Sequence, residues 1–408
     1  MAQIQFPYLG NSLVMAIVIL THVFLAFIAV GGITIAVVSE YIGYTKKSPY
    51  HDLLAKKYMN FISNLMKVGG VFGTAIVVLL IGLFGEFTKT LFNIFFFPLL
   101  LEALMFFVLF ASSIYYRETW NNTKNKKLHL FSGFIAALAG IIAAFIINTV
   151  WSFMLTPGSY FKNPSMTSAV FNPLAFSSFT HLIIPCVINS AFFFFIYSFY
   201  KIKTGNLEER PFYKWAGDYT GKITAIFILF QIVSGILFLL TIRAIDNSIF
   251  TKIVAGDASI FFYSMITLAA IAAISSIIFL LTRKQAYVVL LLGGLAVYLA
   301  FPLGGYTRER ARKPYLIQGY MYMDQRLATA QGVKKEVTKE NILAKYGCLS
   351  CHKFKGQGGT FGPNLTNVRL KLNKNQIKSI LKAPPPGMPP FGGDDKGIEQ
   401  ITETLLNK

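Results

Sequence analysis

Charge is scarce in this 408-residue chain. Only 14% of its residues are charged, and the acidic ones number 18 against 38 basic, for a formal net charge of +20. Beside 54% hydrophobic and 15% aromatic residues, so little charge excludes an ordinary soluble domain and points to a polytopic membrane protein. Cysteine is rarer still, with three residues, which excludes a disulfide scaffold. Two of the three share one pentapeptide, so no second pair exists to complete a tetrahedral zinc site; Cys186 stands in an apolar run, as a small core residue does. The N-terminus lacks a basic region and its first apolar run continues past secretory length, so no cleavable signal peptide is expected. The positive surplus is divided between short loops and the C-terminal segment, without interleaved aromatics, which argues against a nucleic-acid partner.

Apolar runs long enough to cross a bilayer, about 20 residues each, occupy residues 10–43, 58–86, 89–116, 128–155, 172–200, 217–242, 258–282 and 286–304. Eight spans are expected. Lys46, Lys47, Lys56 and Lys57 follow span one, and Arg117, Lys124, Lys126 and Lys127 follow span three. Lys201, Lys203, Arg210 and Lys214 follow span five, and Arg283 and Lys284 follow span seven. The alternate loops carry only Lys89, Lys162, Arg243 and Lys252. Cytoplasmic loops collect Lys and Arg, so both chain ends are expected outside a cytoplasmic membrane. The basic run Arg308 to Lys313 falls on that outer side against the bias, and residues 315–337 read as a tether.

Cys348-Leu349-Ser350-Cys351-His352 is a haem-attachment pattern: two thiols for thioether bonds and an imidazole for the iron. Haem is attached in this way on the outer side of the membrane, where the loop charges independently put the C-terminus. Gly362-Pro363-Asn364-Leu365 follows, and Met388, in the proline-rich stretch 385–391, is the expected sixth ligand. Helices are expected over about 339–347 and 395–407. The pattern resembles class I cytochrome c over roughly residues 338–408. From Lys334 onward there are 13 Lys and Arg against 6 Asp and Glu, about +7, which suits an acidic redox partner as well as a merely solvated surface.

Of the five histidines, His22 and His181 lie inside spans, whereas His51 and His129 fall in or beside cytoplasmic loops. At about 1.5 Å of rise per residue, His181 and Met265 both lie roughly 10 to 14 Å from the outer surface and can clasp one iron. His22 and Glu102 lie near 18 to 20 Å, where an unpaired carboxyl is expensive. They can share a deeper site. Each of the four also has a plainer reading, as a hydrogen-bonded or packing residue, and Glu102 also suits a proton relay.

His22 followed by Glu40, Leu101-Glu102-Ala103-Leu104-Met105-Phe106-Phe107, Thr180-His181, Met265, and Ala311-Arg312-Lys313-Pro314-Tyr315 together resemble subunit I of the cytochrome bd quinol oxidases over about residues 10–320. The resemblance implies that His181 and Met265 ligate a low-spin haem b, and that His22, with Glu102 beside it, serves the haem where oxygen is reduced, of b or d type. The sequence also departs from that family. Only Arg243 to Ser259 fill the gap where the family carries its quinol-binding loop. Phe110 replaces the second carboxylate of the span-three motif, Pro302 stands where a carboxylate ligates a further haem, Tyr263 replaces an arginine, and the ninth span is missing.

The expected architecture is therefore all-α: a membrane bundle of about eight helices (1–312), a linker (313–337) and a small α-helical cytochrome c domain (338–408), carrying covalent haem c, haem b and a second membrane haem. The expected surroundings are the lipid bilayer, other membrane subunits and a periplasmic cytochrome or quinol. The expected function is membrane-bound respiratory electron transfer. A terminal reductase of oxygen or a similar small molecule, and a haem-bearing anchor of a larger respiratory complex, are the alternatives.

Overall fold

In the computed structural model, residues 10–121, 125–160, 164–282, 286–316, 342–359, 362–385, 388, 391 and 393–406 are described below. The chain divides into two compact units, Met1–Arg312 and Lys313–Lys408. Most of the expected linker lies outside the described residues.

The first unit contains α1 (Asn11–Lys46), α2 (Pro49–Leu83), α3 (Gly85–Glu118), α4 (Lys126–Leu155), α5 (Met166–Val170), α6 (Ala175–Thr204), α7 (Arg210–Ile245), α8 (Asn247–Ala255), α9 (Ser259–Thr282) and α10 (Tyr287–Leu316). Among the described residues, eight of these helices are long and apolar enough to cross a membrane; the short α5 and α8 are the exceptions.

The observed helices overrun the apolar runs where the sequence supplies helix starts. Pro49 opens α2 at its first turn, nine residues before the apolar run, with Asp52 in that turn. Polar and charged residues ride on these extensions, so hydropathy alone misses them. Likewise α10 does not end near residue 304. It continues through the basic run, whose Arg308 donates to the Trp151 carbonyl and whose Arg310 pairs with Asp257. The gap before α9 is occupied by α8, capped by the Asp246 carboxylate on the Ser248 and Ile249 amides.

α1 is the central element, packed against α2, α4 and α6, while α6 packs on α7 and α7 on α9. Gly31 of α1 lies directly on the Cys186 carbonyl of α6, an approach that leaves no room for a side chain. α10 joins through aromatics: Tyr298 meets Phe24 and Phe192 edge-on, and Phe301 meets Phe27. α3 is kinked at Phe95, three residues before Pro98.

His51 and His129 lie in the first turns of α2 and α4, beside the loops. His129 is 0% exposed, and its Nε2 lies 3.1 Å from the Glu40 carboxylate. Glu40 also binds Lys126 and the Tyr116 hydroxyl, and the other ring nitrogen of His129 meets Thr119 Oγ1 at 2.8 Å. Interhelical pairing, which no local pattern reveals, draws the histidine inward.

The second unit contains α11 (Ile342–Lys345), α12 (Cys348–Cys351), the paired two-residue strands β1 (Lys353–Phe354) and β2 (Gln357–Gly358), α13 (Lys374–Lys382) and α14 (Asp395–Leu406). Its core is Leu343, Ile377, Leu381, Ile398, Ile401 and Leu405, with Met388 and Cys348 packed against it. The helix α13, absent from the expectation, starts with an Asn373/Gln376 capping box and is tied to α14 by Lys374–Glu399 at 2.6 Å and Lys382–Asp395 at 2.9 Å. Its two turns are too short for periodicity to announce them.

Candidate functional site

Each of the three candidate haem histidines meets the same local arrangement: an acceptor on Nδ1 and a glycine against the ring. In the second unit, Gly347 turns the chain in the left-handed region (φ 77°) to start α12, which aligns Cys348 and Cys351 on one short turn. His352 Nδ1 lies 2.7 Å from the Pro363 carbonyl. A Cβ at Gly362 would stand 2.6 Å from that nitrogen, so only glycine fits. Burial pushes the Cys348 thiol up to about 11, so it stays protonated near neutrality. The Met388 amide donates to the Pro385 carbonyl at 3.0 Å, setting the methionine in a turn beside the core.

In the first unit, His22 Nδ1 lies 3.1 Å from the Gly69 carbonyl of α2, and a Cβ at Gly73 would stand 2.9 Å from its Cε1. Gly69 and Gly73, one turn apart, give the imidazole a side-chain-free strip of α2. His181 faces α7, where Gln231, Ser234, Gly235 and Phe238 share one helical face. Ser234 Oγ is 3.1 Å from His181 Nδ1, Phe238 stacks on the ring with centroids 5.3 Å apart, and a Cβ at Gly235 would stand 3.2 Å from Cε1.

An imidazole whose Nδ1–H is committed to an oxygen presents Nε2, with its lone pair, to a metal. His22 and His352 fit that requirement, His181 fits it on the Nδ1 side while the Gln231 amide nitrogen lies 3.2 Å from its Nε2, and the bare glycines fit a bulky planar group. Met265 fits as well: its Sδ faces Gly304 of α10, where a Cβ would stand 2.9 Å away. His181 and Met265 both lie seven residues into their helices, α6 and α9. Glu102 has no hydrogen-bond or ion-pair partner among the described residues, and no hydrogen bond joins it to His22, whose ring turns to α2 instead of α3. The residues that sequence reasoning did not single out are Gly69, Gly73, Gln231, Ser234, Gly235 and Phe238. Their sequence signals are the Gly-x-x-x-Gly spacing of Gly69 and Gly73 in α2 and the Gln-x-x-Ser-Gly-x-x-Phe spacing in the otherwise apolar α7.

A multi-pass bundle with metal-ready histidines, joined in one chain to a CxxCH unit, defines a haem-bearing protein of respiratory electron transfer. Residues 12–241 match the model of cytochrome bd terminal oxidase subunit I, and the chain belongs to that family. Residues 338–403 match the model of the cbb3-type cytochrome c oxidase subunit III, a c-type cytochrome domain, which implies haem c as the bd-type domain implies haem b. Among solved structures, the bd oxidase from Geobacillus thermodenitrificans superposes with a TM-score of 0.68 at 20% identity, covering 76% of this chain and 88% of that one. That likeness establishes the fold. No curated protein matches the chain.

Proposed function

We propose that this chain carries respiratory electrons between the membrane and a periplasmic redox partner, with haem c held by Cys348, Cys351, His352 and Met388 and haem b by His181 and Met265. The observation that carries the reading is the union, in one chain, of a bd-type bundle with a cytochrome c unit, each holding a histidine with its Nδ1 engaged and a glycine at its ring. Haem, when bound, supplies a one-electron carrier at each position.

The chain's own residues do the rest. Pro363 and Ser234 orient the two imidazoles. The loop charges put the N-terminus and the cytochrome unit on the outer side, so haem c meets partners in the periplasm, and the surplus of about seven positive charges suits an acidic partner. The short gap between α7 and α9, residues 246–258, which is mostly taken up by α8, has no room for a long quinol-binding loop, which favours a cytochrome over quinol on this subunit. Further membrane subunits are expected against the apolar surface around Glu102, since a carboxyl exposed to lipid is costly.

His22 favours a second reading. Its Nδ1 engagement and glycine strip suit another membrane haem, of b or d type, and the unpartnered Glu102 suits proton delivery to an open iron, as in a terminal reductase of oxygen or a similar small molecule. Phe110, in place of a carboxylate, weighs against that reading.

A carbon monoxide difference spectrum of the dithionite-reduced, purified protein separates the two. No shift of the membrane haem bands supports electron transfer alone. A shift that disappears in His22→Ala supports the reductase. Loss of haem b from His181→Ala and from Met265→Ala, with the haem c spectrum intact, is the expected result for the ligand assignment; unchanged haem b content would overturn it.

A further inference from the structure

Residue 185 of α6 is proline, so the His181 carbonyl, four residues earlier, loses its helical N–H donor. Gln231 of α7 replaces that donor: its Nε2 donates to the His181 carbonyl at 3.1 Å. The same amide nitrogen lies 3.0 Å from His181 Nδ1 and 3.2 Å from Nε2. An amide nitrogen carries two N–H donors and accepts none, so in this orientation it cannot take the Nδ1 proton of the ring.

When Nε2 faces a metal, Nδ1 carries the proton and needs an acceptor. Ser234 Oγ is placed for this, 3.1 Å away, with its own hydroxyl proton donated to the Gln231 carbonyl at 2.9 Å. Ser234 is 5% exposed, so water does not readily substitute for it.

We propose that Ser234 is the positioning residue of the membrane haem b, accepting the His181 Nδ1 proton and thereby setting the reduction potential of that haem, while Gln231 serves only to cap the carbonyl freed by Pro185. The inference rests on the proposed ligation by His181. It has a direction: an acceptor on Nδ1–H makes the imidazole a stronger donor to iron and stabilises the ferric state. Removing the acceptor raises the potential. The neutral hydroxyl of Ser234 contrasts with the backbone carbonyls that serve His22 and His352, so this is the one of the three acceptors that a side-chain substitution can delete.

The experiment is a redox titration of the purified full chain, following the haem b bands, beside a haem b quantitation, for the wild type and Ser234→Ala, Ser234→Thr, Gln231→Leu and His181→Ala. Ser234→Ala is expected to retain haem b with a raised midpoint potential. Ser234→Thr, which keeps the hydroxyl, should restore the wild-type value, and Gln231→Leu should leave the potential in place while lowering thermal stability. A shifted potential in Gln231→Leu with none in Ser234→Ala would overturn the assignment and make the glutamine's amide oxygen, turned to the ring, the acceptor. A Ser234→Ala protein with unchanged potential, or a Ser234→Thr protein that fails to restore it, would also overturn it. Retention of haem b by His181→Ala is a separate failure, of the ligation and not of the serine's role, because the serine arms are read only against a haem that His181→Ala removes.

Discussion

Glu40 offers the sharpest test of what holds the bundle together. Its carboxylate is 0% exposed and binds the Tyr116 hydroxyl from α3 and the Lys126 ammonium and His129 imidazole from α4. In Glu40→Ala three groups lose their acceptor together. Lys126, whose side chain is 30% exposed, can turn to Asp52, already 3.5 Å away. His129 and Tyr116, both fully buried, have no such exit from that side of the site. Breaking a buried charged pair by removing one partner costs about 3 to 5 kcal/mol, and the freedom of Lys126 puts the expected loss at about 3 kcal/mol. Thermal unfolding of the purified protein in detergent should show a midpoint lowered by several degrees, with Glu40→Gln, which keeps some of the hydrogen bonds, in between. Haem content at 4 °C should match the wild type, because Glu40 lies five turns along α1 from His22 by about 1.5 Å per residue. An unfolding midpoint unchanged in Glu40→Ala would refute the reasoning and reduce the cluster to a solvated pairing.

Met388→Ala should leave haem c covalently attached, since the thioethers are unaffected, but convert its iron to a high-spin spectrum; an unchanged spectrum would place the sixth ligand elsewhere. Gly362→Val would drive a side chain into the His352 ring and break the Pro363 contact, so the yield of correctly ligated haem c should fall severalfold, as measured by haem staining and spectrum. In haem-free protein, alkylation of Cys348 should be slow at pH 7 and rise roughly tenfold per pH unit until about pH 11, because burial disfavours the thiolate that reacts. A plateau near pH 8 would contradict that placement. If the basic cytochrome unit docks to an acidic partner, the second-order rate of electron exchange should fall steeply between low and physiological ionic strength, as stopped-flow spectroscopy would show.

Much of this protein was legible without coordinates. Length and hydropathy determine eight crossings, because a bilayer admits a helix of about 20 apolar residues and few other local structures. The CxxCH pentapeptide likewise points to one chemistry in five adjacent residues, and constant helical rise gives the positions of His22, Glu102, His181 and Met265 along their helices. What the sequence could not determine is azimuth: which neighbour each side chain faces. The turn of His22 toward the glycine strip of α2, away from Glu102, depends on how α1 is rotated in the bundle. The burial of His129 depends on Glu40 arriving from another helix. The service of Ser234 and Gln231 to His181 depends on α6 and α7 meeting in one register, with Pro185 leaving a carbonyl open for the amide. Those partners lie 47 to 89 residues apart in the chain, so only tertiary packing brings them within hydrogen-bonding distance.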